Sequence, residues 1–152
     1  ATVSDEQIKL LLEAAMMAPS ACNTRPWKFI VIKNREKLDE LAAVHPYAKM
    51  LKTANVAIIV LALPETQKDI ASGYFPQDCA AATQNILIQA ASIGLGTCWC
   101  GVYPKEQRIA EVRSVLNINE HDIIPFNIIA VGIPEVIPEA RGFYEESKVE
   151  YM

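Results

Sequence analysis

The chain has 152 residues, 51% of them apolar, which is enough to bury one ordinary core and too little for a second domain. The formal charge is −4, and the 14 Lys and Arg form no block that would neutralise a row of phosphates, so nucleic acid is a poor partner. No charged segment followed by an apolar run opens the sequence, so no signal peptide is visible and a cytoplasmic protein is expected.

Ser4 followed by Gln7 is a capping-box pair, and Ile8, Leu11, Leu12, Ala15 and Met16 recur at helical spacing. A first helix is predicted to about Ala18, where Pro19 biases the preceding backbone away from helix. Pro19 to Pro26 reads as a loop and Trp27 to Ile32 as a strand. Asn34 caps a second helix through Ala43, ended by His45-Pro46. The β-branched run Val56 to Leu63 reads as a central strand covered on both faces.

Asp78 is expected to start a helix reaching Ile93, with Gly94 as its left-handed stop. This helix carries no further charge and is rich in alanine, so it is expected to be buried all round, one face meeting a second subunit. Gln84 and Asn85 within it read either as ligands or as amides bonded across that interface. The uncharged stretch 79–104 is too interrupted by polar residues and glycine to supply the ~20 apolar residues of a membrane span. Thr97 to Val102 reads as a strand, Pro104 opens a helix to about Leu116, and Pro125 to Gly132 is a further strand. An extended tail follows from Pro134.

Cys22, Cys79, Cys98 and Cys100 are expected to be free thiols, since the chain folds on its core and shows no secretory signal. Cys98 and Cys100 lack C-x-x-C spacing, and two histidines do not complete a metal site, so small wall residues are the plainer reading. His45 and His121 show no catalytic context. Gly94 and Gly96 follow a helix, unlike a dinucleotide fingerprint. Periodicity alone gives one three-layer α and β domain, and names no reaction.

Three stretches go further. L-L-E-A-A-M-M-A-P-S-A-C-N-T-R-P-W (Leu11 to Trp27), Q-D-C-A-A-A-T-Q-N-I-L-I-Q-A-A-S-I-G-L-G-T-C-W-C-G (Gln77 to Gly101) and I-P-F-N-I-I-A-V-G-I-P (Ile124 to Pro134) stand in the order and spacing of the nitroreductase-like family of FMN-dependent oxidoreductases, which the chain resembles over most of its length. The resemblance implies a single α+β domain over 1–152 with an α/β/α arrangement. A mixed, largely antiparallel sheet lies at its centre, the Ala-rich helix at a dimer interface, and 134–152 forms the tail. It also implies a homodimer that passes hydride from NADH or NADPH through FMN to a small acceptor such as a nitroaromatic or quinone, by a ping-pong route.

By the same resemblance Pro19, Ser20, Ala21 and Asn23 are lent to the flavin of the partner subunit, although Pro, Ser and Asn also suit any turn. Arg25 is either near the flavin or a solvated loop charge. A backbone N–H near Cys100 or Gly101 would face the reactive edge of the ring, and Arg141 in the tail would meet the phosphate, its alternative being an exposed arginine. No side chain is expected to act as acid or base, and no metal is expected. A related flavin enzyme with a narrower task and a flavin-binding scaffold without turnover are the alternatives. Relatives begin with an arginine-rich segment that grips the phosphate. The sequence opens at Ala1-Thr2-Val3-Ser4, just after that segment, so either it is part of a longer protein, the favoured expectation, or Arg141 and Arg25 carry the phosphate.

Overall fold

The computed structural model describes residues 2–152, and Ala1 lies outside the described residues. Its first helix, α1 (Asp5–Met16), starts as the sequence predicts: Ser4 Oγ accepts from Gln7 N at 3.1 Å while Gln7 Oε1 accepts from Ser4 N at 2.9 Å. Two otherwise orphaned backbone donors are thereby satisfied. Then come β1 (Trp27–Ile32), α2 (Arg35–Val44), β2 (Val56–Ala62), α3 (Phe75–Ser92), β3 (Gly96–Gly101), α4 (Glu106–Leu116) and β4 (Ile124–Gly132). The N-cap of α2 is Asn34, whose side chain accepts from Lys37 N at 2.9 Å.

The four strands form one sheet in the order β1-β2-β4-β3, every neighbouring pair antiparallel. β2 is central and fully buried, and its alternating side chains serve two cores. Val56, Ile58, Val60 and Ala62 pack with Leu11 and Ala15 of α1 and with Cys79, Ala82, Ile86 and Ala90 of α3. Ala57, Ile59 and Leu61 face the opposite way, onto Leu38 and Leu41 of α2 and Val112 of α4. This gives the expected helix, sheet, helix layering. A bulge in β4, where Val60 pairs Asn127 but Leu61 pairs Pro125, adds Phe126 as an extra residue. Phe126 joins the α1–α3 core and Asn127 donates to Thr83 of α3 at 2.8 Å, so the bulge aims two successive side chains at one face.

Three expectations need correction. The central helix begins at Phe75, not Asp78, because Pro76 supplies the first-turn geometry and Asp78 has its carboxylate committed elsewhere. In the single chain α3 turns outward one uncharged stripe at helical spacing, Gln77, Gln84, Ile88 and Ala91, with Ile88 59% exposed. Asn85 bonds within its own chain, donating to Ala14 O of α1 at 2.8 Å, which ties the two helices of this layer together. The last helix starts at Glu106, two residues later than expected, with Lys105 as its cap. Gly94, at φ +77, closes α3 as predicted: Leu95 N donates to Ala90 O and Gly94 N to Ala91 O, a Schellman pattern that needs left-handed backbone at that position.

Candidate functional site

The loop between α1 and β1 carries backbone that ordinary side chains avoid. Cys22, Asn23 and Arg25 all have positive φ, near +50°, a region that non-glycine residues enter at a cost. Such strain persists only where the surroundings over-determine the loop, and here they do. Ala21 N donates to Asp78 Oδ2 at 3.1 Å, and Gln67 Nε2 donates to the same oxygen at 2.6 Å and to Thr24 Oγ1 at 3.0 Å. Thr24 Oγ1 donates to Ala21 O at 2.7 Å, and Ser20 Oγ accepts from Arg25 N at 3.0 Å. The Cys79 thiol donates to Pro26 O at 3.4 Å. Burial, and after it the neighbouring Asp78 charge, pushes that thiol up to about 12, so it remains a neutral donor.

Asp78 and Gln67 are therefore the residues that hold this loop, and the sequence reading missed both. Asp78 is 7% exposed and Gln67 fully buried. Gln67 Oε1 has no partner among the described residues, because both amide protons are drawn towards Asp78 and Thr24. The available signal is the lone carboxylate at the head of an otherwise uncharged stretch, which the sequence reading takes for the start of a helix. Ala21 N and Ser20 Oγ serve the loop itself. What the loop turns outward is Asn23 and Arg25, both exposed and joined by an Arg25 Nε to Asn23 Oδ1 bond of 3.2 Å. A cavity of about 380 Å³ lined by Pro19, Ser20, Ala21, Tyr74, Gln77, Asp78 and Ala81 makes the loop continuous with the exposed stripe of α3.

At the other side of the sheet, β3 is an edge strand. Val102 N donates to Phe126 O at 3.1 Å, which fixes the alternation of the β3–β4 ladder: backbone groups of Gly101 and Trp99 point away from β4, to the open edge. Beside that edge lie His45 and Tyr47, the latter with the Arg108 guanidinium 5.3 Å above its ring. Cys100 turns its thiol away, towards Tyr47 O at 3.6 Å and Met50 Sδ at 3.9 Å, inside the α2–α4 core. Burial, then contact with Cys98, pushes the thiol up to about 12, so Cys100 is a wall residue with no thiolate at neutral pH. All four cysteines are free, and among the described residues no group of three or more His, Cys, Asp or Glu could hold a metal.

The sequence-predicted residues are not all brought together. Pro19 to Arg25 lead into β1 and Gly101 ends β3, at the same end of the sheet but on opposite edges, three strand spacings or roughly 14 Å apart. Arg141 is exposed in the tail, which leaves β4 at Gly132, paired with Gly96. That is the far end of β3, roughly 17 Å along the strand from Gly101. A cavity of about 450 Å³ borders both β3 and the tail there, lined in part by Met50, Gly96, Thr97, Cys98, Pro134 and Pro138.

The sequence profile of the Nitroreductase family matches residues 1–46 and 42–133. A protein of Methanothermobacter thermautotrophicus, provisionally named NADH dehydrogenase/NAD(P)H nitroreductase, is 45% identical over 97% of this chain and 75% of its own length. A crystal structure of a protein provisionally given that same name, from Bacteroides thetaiotaomicron, is 42% identical, with a TM-score of 0.92 over 99% of this chain and 86% of that one. A provisionally named nitroreductase of Desulfovibrio desulfuricans, solved in complex with FMN, is 29% identical, with a TM-score of 0.82 over all of this chain and 87% of that one. With the family profile matched over most of its length and a relative 45% identical over 97% of it, the chain belongs to the nitroreductase family.

Proposed function

We propose that the protein is an FMN-dependent oxidoreductase that takes hydride from NADH or NADPH and passes it to a small acceptor such as a nitroaromatic or quinone. The observation that carries this reading is the β3 edge, whose Gly101 amide points outward at the same end of the sheet as the strained loop. The FMN complex of the Desulfovibrio desulfuricans protein supports the choice of cofactor, and the relatives' names support a nicotinamide donor. The donor set suits such a group. An outward backbone N–H would hold the polar edge of the ring, the cavity beside Gly96 and Cys98 lies along the way to the tail, and Arg141 is an exposed guanidinium that the tail would offer to a phosphate. FMN, when bound, supplies the hydride chemistry itself. The chain's part is to bind and orient the ring, and to present N–H donors where negative charge collects.

The 14 Å between loop and edge supports a homodimer. The loop and the exposed α3 stripe share a surface, so a second copy packed on that stripe would bring its Asn23 and Arg25 to the Gly101 edge of the first. Exposed Leu10 and Met17 of the α1 region, and Ile137, Phe143 and Tyr144 of the tail, add apolar area for such contact. Free cysteines fit a cytoplasmic setting, and no helix of the described residues is long and apolar enough to cross a membrane.

Anaerobic addition of NADH, then of NADPH, to the FMN-loaded protein tests the activity. The flavin absorbance bleaches within the turnover time, and a quinone or nitroaromatic restores it. A bound flavin that neither nicotinamide bleaches would make the protein a flavin-binding scaffold. Bleaching without recovery by any acceptor of these classes would remove the acceptor assignment alone.

A further inference from the structure

The open edge at Gly101 has lost half of its hydrogen-bonding capacity to a histidine. His45 follows α2, is 2% exposed, and is held extended by Pro46 behind it, at φ −105 and ψ 117. Its Nδ1 accepts from the Tyr47 N–H at 3.1 Å, and its Nε2 lies 2.7 Å from Gly101 O. A backbone N–H can only donate and a carbonyl can only accept, so one arrangement satisfies both contacts: a neutral ring with its proton on Nε2. Both nitrogens are then in use, which leaves His45 no role in proton transfer to a substrate.

The consequence falls on the strand. An outward-facing residue of an edge strand offers one N–H and one C=O side by side. With the Gly101 carbonyl capped by His45, the edge at that residue presents a donor alone. An uncapped carbonyl aimed at the same region would repel negative charge that the amide attracts, in surroundings where such terms are poorly screened. We propose that His45 is a positioning residue of the FMN site, which caps the Gly101 carbonyl, gives the β3 edge donor character and so favours reduced over oxidised FMN. The inference rests on the placement of FMN along β3.

The test measures affinity for oxidised and for chemically reduced FMN, with the midpoint potential, in the full-length protein, in His45→Leu and in His45→Gln. His45→Leu is expected to lose about tenfold in affinity for reduced relative to oxidised FMN, a midpoint about 30 mV more negative. His45→Gln, whose amide nitrogen reaches the same carbonyl, restores most of that ratio. A merely structural histidine would weaken both forms equally, and an unchanged ratio in His45→Leu overturns the proposal. In the unsubstituted protein, nitrogen NMR gives a second reading. The His45 ring is neutral and protonated on Nε2, and its Nε2 signal moves on FMN reduction; an Nδ1 proton, or a signal that does not move, also overturns the proposal. Absence of FMN uptake by the unsubstituted protein would defeat the placement of the cofactor and this inference with it, whereas uptake without a shifted ratio defeats the inference alone.

Discussion

Asp78→Leu is expected to lower stability by about 2–4 kcal/mol and to weaken FMN binding more than tenfold, while Asp78→Asn stays within about 1 kcal/mol of the unsubstituted protein. Leucine leaves Ala21 N and Gln67 Nε2 without the oxygen they share, and each orphaned buried donor costs about 1–3 kcal/mol. The loop then loses the bond that holds it across 57 residues of sequence, and the left-handed backbone at Cys22, Asn23 and Arg25 has less to oppose its relaxation. Asparagine keeps one acceptor for Ala21 N. Its new NH₂ group would meet the Gln67 amide, which can turn over and offer the oxygen that is otherwise unpaired. Chemical denaturation and flavin titration of the two variants check this. Equal stability losses, or FMN affinity unmoved by Asp78→Leu, would show that the loop does not depend on this carboxylate.

Ile88→Arg is expected to convert the protein to a folded monomer that no longer retains FMN. In a single chain Ile88 is largely exposed, and a substitution there changes folding stability by no more than about 0.5 kcal/mol. On a packed α3–α3 surface, an unpaired guanidinium costs several kcal/mol, which weakens association by two orders of magnitude or more. Sedimentation at micromolar concentration, read beside the thermal midpoint, separates the two effects. A dimer that survives Ile88→Arg would place the subunit contact elsewhere on the chain.

How far the sequence reaches can be judged from particular residues. The capping pair Ser4 and Gln7, the Asn34 cap and Gly94 are local devices, each satisfied within a few residues, and the structure has all three as read. β2 was legible because a strand buried on both faces has no polar alternation to interrupt its apolar run. The clamp was not, since the bonds from Ala21 to Asp78 and from Thr24 to Gln67 join distant segments, and spacing carries no record of such pairs. For the same reason His45 read as a helix end: its partner, Gly101, lies 56 residues away. The placement of Pro19, Ser20, Ala21 and Asn23 opposite another subunit's Cys100 and Gly101 came from resemblance, and the geometry of one chain leaves those groups on opposite sheet edges.

A mixed dimer tests that arrangement most directly. One protomer carries Asn23→Gly with Arg25→Gly, which removes both side chains and accepts their left-handed backbone. The other carries Gly101→Pro, which deletes the outward N–H at an edge position where an added Cβ meets nothing within 4 Å. Each variant alone is expected to bind FMN weakly, because every site in its homodimer lacks one half. In the mixed dimer the Gly101 edge of the first protomer faces the intact loop of the second, so one FMN per dimer should bind with near-normal affinity, leaving the doubly altered site empty. Mixed dimers that bind FMN no better than either parent would contradict a site built from two copies.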